Sequence, residues 1–232
     1  MPGGDTSLVY IGAVTVSAVL LIIACVMARR KPGPWSVKVA QVLGVVLLLK
    51  GGLWIYTTLA QGPWSIQTGL PLYLCDISVF IAAAACWWRI PCLVEVTYFW
   101  GLAGVLQGTV TPEFPEGFPH LLFFQYTLGH IGIVAAAVYL TAGLHIAPRE
   151  GAMIRVFGLT VGYTAAVGIL DWTTAANYMF LRAKPLTWSL LSIMGPWPWY
   201  IVEAAVLGFI FFLILDAFFW PSRRSKHTRV FV

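Results

Sequence analysis

Apolar residues come along this chain in seven long runs, near 8–27, 36–60, 70–88, 91–110, 120–145, 152–174 and 197–220. At 1.5 Å per residue, each run is long enough to cross roughly 30 Å of hydrocarbon as a helix. The connecting segments are "RRKPGP", "QGPWSIQTG", "RIP", "TPEFPEGFP", "APREG" and the longer "NYMFLRAKPLTWSLLSIMGPWP". Pro, Gly and Ser mark them as turns. No internal repeat, heptad run or low-complexity tract interrupts the pattern. It predicts an all-α, polytopic bundle of seven transmembrane helices.

Composition agrees. The chain is 59% hydrophobic and 10% charged, with a mean hydropathy of +0.84, where a soluble domain carries about 25% charged residues. A single membrane-embedded domain over 1–232 is expected, ending in a basic tail at 221–232. The net charge of +5 does not point to nucleic acid, because the basic residues stand beside apolar segments, as topology signals and lipid-headgroup contacts do. "MPGGDTS" lacks a basic region ahead of the first run, and "ARRK" follows that run at once. Residues 8–27 therefore read as a retained helix and not as a cleaved signal peptide.

Lysine and arginine predict the orientation. With the N-terminus outside, the cytoplasmic side collects Arg29, Arg30, Lys31, Lys38, Arg89, Arg149, Arg155, Arg223, Arg224, Lys226 and Arg229, eleven of the fourteen basic residues. Only Arg182 and Lys184 fall outside, and Lys50 lies within the second run. This asymmetry predicts N-out and C-in. The Trp-bearing segments "PWS" (63–65) and "GPWPWY" (195–200) then fall at a membrane interface, where amphipathic rings collect.

Polar residues inside the runs carry the candidate chemistry. With this orientation Cys75 and Asp76 enter the third run roughly 8 Å from its outer end, and His130 lies roughly 15 Å into the fifth. Lys50, Gln107, Gln125, Asp171, Asn177 and Glu203 fall toward the same level, whereas Glu95 lies nearer the cytoplasmic side. A charge at mid-bilayer costs about 2.5 kcal/mol or more, so such residues face the bundle interior, paired or in water. Their convergence predicts an outward-facing polar cavity. Each residue taken alone is equally accounted for as glue between helices, with Lys50 pairing Asp76, Asp171 or Glu203.

Cys25, Cys86 and Cys92 have no polar neighbours in sequence and read as buried apolar groups. Cys75 stands in the polar layer, where His130, in "LGHIGIV", is the one histidine deep inside a run. A deep histidine also serves as a hydrogen-bond donor between helices. Together, cysteine and histidine are the minimum for covalent acyl transfer, the base generating a thiolate that attacks an ester carbonyl. Cys75, Asp76, His120 and His130 lack recognised zinc-ligand spacing. No metal and no cofactor is expected.

"LPLYLCDIS", "YFWGLAGVLQGTVTPEF", "FPHLLFFQYTLGHIGIV", "NYMFLRAKP" and "GPWPWY", in this order, resemble the bacterial YwaF-type integral membrane proteins over about residues 65–205. That group is similar to a vertebrate transmembrane acyltransferase that makes polyunsaturated ether phospholipids, and more distantly to the androgen-induced-gene-type lipid hydrolases. The resemblance implies Cys75 as nucleophile and His130 as base, with Asn177 and the "GPW" at 195–197 in supporting positions. Asp76 after the cysteine departs from the acyltransferase pattern. A carboxylate there opposes thiolate formation unless a cation such as Lys50 neutralises it.

The expected function is that of a phospholipid acyltransferase or transacylase of a bacterial plasma membrane. Membrane phospholipids and lysolipids would be its partners, and Lys50, Asp76, Gln107, Gln125, Asp171, Asn177 and Glu203 would bind substrate or support the site. A lipid hydrolase with the same Cys/His pair is an alternative. So is a non-enzymatic lipid-binding protein or small-solute transporter.

Overall fold

The computed structural model describes residues 4–60, 62–112, 114, 116–186 and 189–221. The basic run holding Arg223, Arg224, Lys226, His227 and Arg229 lies outside the described residues. Among the described residues all regular structure is helical: α1 (Gly4–Arg30), α2 (Pro34–Ala60), α3 (Leu74–Trp88), α4 (Pro91–Phe99), α5 (Leu106–Val110), α6 (Leu121–Val138), α7 (Ala152–Thr174) and α8 (Trp199–Ala217). A π-helical stretch, Trp100–Val105, joins α4 to α5 without a break, and another, Tyr139–Gly143, extends α6. Among the described residues five helices, α1, α2, extended α6, α7 and α8, are long and apolar enough to cross a membrane, and α3 is a shorter apolar helix. On α1, Leu8, Leu20 and Ile22 are each at least 60% exposed. Such a surface is stable in lipid and not in water.

The chain forms two compact units. The first comprises residues up to Thr57 together with Cys75–Arg149. Leu47, Val79, Ala82, Cys86, Ile133 and Tyr139 lie in its core. Small residues set its helix spacing, as is usual where lipid leaves no hydrophobic force between helices. A Cβ on Gly44 of α2 would stand 3.2 Å from Ala83 O and from Cys86 Cβ of α3. Further along α2, Leu47 and Lys50 lie over Gly132 and Gly129 of α6, where added Cβ atoms would come within 2.9 Å of each. Tyr139 donates to Ser36 O at 2.9 Å. Glu95, buried in α4, accepts from Arg149 Nε, Nη2 and N at 2.7, 3.1 and 3.1 Å. These hydrogen bonds hold the Arg149 guanidinium above its ordinary pKa.

The second unit comprises Thr58–Leu74 and the chain from Glu150 onward. Its core gathers around Tyr178, whose hydroxyl donates to Ile66 O at 2.8 Å and accepts from Leu70 N at 3.0 Å. Burial pushes the phenol above its ordinary pKa, so it stays protonated as a donor. Tyr163 donates to Leu72 O at 2.9 Å. These contacts take up the backbone of residues 70–72, and α3 begins at Leu74 instead of the residue 70 that hydropathy predicts. Pro198 likewise delays α8 to Trp199, because its missing N–H and fixed φ suit a helix entrance.

Candidate functional site

Cys75 and Asp76 stand in the first turn of α3, where backbone N–H groups have no partner within the helix. A helix N-terminus favours negative charge, whether on a thiolate or a carboxylate. Lys50 of α2 supplies the counter-charge: its Nζ lies 3.0 Å from Asp76 Oδ1, with the side chains 7% and 17% exposed. The pairing that hydropathy left open among three carboxylates goes to Asp76. The lysine stem reaches it by lying across Gly129, which no larger residue at that position would permit.

Next to Gly129 stands His130. Its Nδ1 is 3.0 Å from Tyr126 O, one turn earlier on α6. A carbonyl oxygen only accepts, so Nδ1 carries the proton and Nε2 keeps its lone pair. The ring stacks on Tyr126, centroids 4.0 Å apart and planes 23° apart. Tyr126 in turn donates to Gly108 O of α5 at 2.6 Å. A Cβ on Gly108 would lie 2.8 Å from both Cδ2 and Nε2 of His130. The imidazole is therefore held between a phenol ring and a bare stretch of backbone, in a fixed tautomer, with a basic nitrogen available.

Lys50 and Asp76 lie within electrostatic reach of both the Cys75 sulfur and the His130 ring. No hydrogen bond joins Cys75 to His130 directly among the described residues. The Tyr126 stack and the Nδ1 bond hold the ring against Gly108. Ser78, one turn after Cys75, and Thr127, one turn before His130, bury hydroxyl groups that have no hydrogen-bond partner among the described residues. The remaining cysteines differ in setting, Cys25 and Cys86 being buried and Cys92 exposed.

Other expected residues have other occupations. Gln125 is buried and accepts from Thr57 Oγ1 at 3.1 Å, which ties α6 to α2. Gln107 is exposed. Successive helical residues point about 100° apart, so turning Gly108 toward His130 turns Gln107 off that face. His120 caps α6, its Nδ1 accepting from Leu122 N at 3.3 Å.

In the second unit, Asp171 is fully buried and accepts from Tyr178 N at 3.0 Å through Oδ1, while Oδ2 has no hydrogen-bond partner among the described residues. Asn177 accepts from Arg182 N and Ala183 N and donates to Ala183 O, at 2.9–3.0 Å, closing the loop after α7. Glu203 is exposed and accepts from Gly195 N at 3.0 Å. Among the described residues, no three of His, Cys, Asp and Glu converge as a metal-binding group.

Tyr126, Gly108 and Gly129 are the positions that hydropathy did not single out. The Tyr-to-His spacing of four residues on one helix was the available signal, since such residues share a face.

The model of the TMEM164 family matches residues 4–216 of the chain. No curated protein and no solved structure matches it.

Proposed function

We propose that this multi-pass membrane protein, which belongs to the TMEM164 family, is a phospholipid acyltransferase working through an acyl-cysteine at Cys75. One observation carries the reading. A cysteine at a helix N-terminus shares a neutralising Lys50–Asp76 pair with a histidine whose Nε2 is free to accept a proton. The chemistry is balanced with those groups alone. Nε2 of His130 takes the Cys75 proton as sulfur attacks the acyl ester of a phospholipid. The proton then passes to the departing lysolipid oxygen, leaving a thioester. A lysolipid hydroxyl next gives its proton to Nε2 and attacks the thioester, and the returning thiolate recovers the proton. Catalytic hydrogen bonds tighten when substrate is bound, which here closes Cys75 on His130. Ser78 and Thr127 supply hydroxyl donors near the reacting carbonyl. The chain crosses the bilayer seven times with its N-terminus outside, in the plasma membrane of a bacterium, as a YwaF-like member of the family.

Purified protein in detergent, given a diacyl phospholipid and a lysolipid, tests this. Cys75→Ala and His130→Ala should each abolish transfer, and the double variant should be no worse than either, because residues acting as a unit are not additive. Full transfer by Cys75→Ala would remove the cysteine from the mechanism. The lack of a direct Cys75–His130 bond favours a second reading, a non-enzymatic lipid-binding protein. A thiol-reactive lipid probe separates the two, because only acyl transfer predicts that Cys75 reacts well ahead of the other cysteines.

A further inference from the structure

In the second unit a cavity of about 270 Å³ opens between α7, α8 and the loop after α7. Thr164, Ala165, Gly168 and Trp172 form one stripe of α7 along it, and Trp197, Ile201 and Leu181 complete the walls. From Thr164 to Trp172 the stripe runs about 12 Å, at 1.5 Å per residue. A groove of that length has room for a stretch of extended hydrocarbon chain laid along it. Gly168 lines it, and a Cβ there would sit in ordinary contact with Leu181 Cδ1 at 3.7 Å.

One end of this apolar channel carries Arg182. Its Nη1 donates to Ala176 O at 3.3 Å, and among the described residues the other N–H groups of the guanidinium have no hydrogen-bond partner. The buried Asp171 senses its charge from beneath. Trp172 and Trp197, 74% and 55% exposed, flank the same end, as aromatic side chains do at the headgroup level. Since α7 and α8 are both long and apolar enough to span a membrane, the medium around the channel is lipid.

We propose that this channel seats one acyl chain of a membrane phospholipid whose phosphodiester is held by Arg182. The geometry matches both halves of such a molecule, an apolar groove ending at a cation with donors to spare. The proposal does not rest on acyl transfer at Cys75.

Photo-crosslinking in phosphatidylcholine vesicles tests it, with a diazirine placed in one chain of phosphatidylglycerol or of diacylglycerol. Phosphatidylglycerol should crosslink predominantly to residues 164–172 and to Ile201, and well above diacylglycerol. Arg182→Gln should lower its yield about fivefold, equivalent to roughly 1 kcal/mol for one arginine at an anionic surface, and leave diacylglycerol unchanged. Gly168→Phe should lower both, while Cys75→Ala should change neither. Crosslinks spread evenly over the exposed faces of α7 and α8, or equal yields from the two lipids, would overturn the proposal.

Discussion

Gly108→Ala puts the positioning of His130 to a quantitative test. The new Cβ would stand 2.8 Å from Cδ2 and Nε2 of the ring and 3.3 Å from Tyr126 Oη. Comfortable carbon contacts are about 3.5–4.0 Å, so roughly 0.7–1.2 Å of overlap has to be relieved. The ring has little freedom to relieve it, being stacked at 4.0 Å and bonded through Nδ1 at 3.0 Å. Overpacking of this kind costs about 1–3 kcal/mol. Against it stands the gain of up to about 1 kcal/mol from replacing a helical glycine by alanine. The net loss of stability is therefore about 0–2 kcal/mol, small enough for the protein to stay folded.

Activity should respond far more, because a displacement of about 1 Å at a catalytic group is worth about a hundredfold in rate. Transfer rates and thermal melting of Gly108→Ala and the parent protein, in one detergent, give the comparison. Nitrogen NMR of labelled imidazole offers a readout that needs no substrate, as the variant should lose the single Nδ1–H tautomer. A variant that melts higher, keeps its tautomer and transfers at the parent rate would refute the reasoning.

Three further outcomes follow from the packing. Asp76→Asn leaves Lys50 charged and buried without its partner, and should cost about 3–5 kcal/mol in denaturant or thermal unfolding. The paired replacement Lys50→Met with Asp76→Leu should recover most of that loss, and its failure to do so would argue against a simple ion-pair role. Glu95→Gln removes the charge that receives Arg149 Nε and Nη2, and should cost about 1–3 kcal/mol, with faster hydrogen exchange at the Arg149 amide. Asn177→Ala unties the amides of Arg182 and Ala183; their exchange should quicken while the melting temperature changes little.

The helices themselves were legible because lipid demands long apolar runs, and runs such as 8–27, 36–60 and 152–174 lie on α1, α2 and α7. Their ends were less so. Hydropathy cannot see that Tyr163 and Tyr178 claim the backbone of residues 70–72, nor that Trp100–Val105 winds as a π-helix within an unbroken apolar run. For the site, the cost of a lone charge in hydrocarbon made it legible that Lys50 needs a carboxylate. Choosing Asp76 over Asp171 or Glu203 required knowing that Gly129 opens a path for the lysine stem. The hold on His130 by Tyr126 and Gly108 joins two helices through shape, and shape has no hydropathy signature. Asn177 and Glu203 were expected to serve the site, yet each accepts from nearby backbone amides.

The acyl-cysteine itself is the most direct test of the account. Protein mixed with a diacyl phospholipid, quenched in acid before acceptor is added and digested for mass spectrometry, should carry one fatty acyl group on Cys75. Hydroxylamine should remove it, lysolipid should discharge it, and His130→Ala should fail to form it. Turnover of phospholipid with no acyl group ever found on Cys75 would contradict the account.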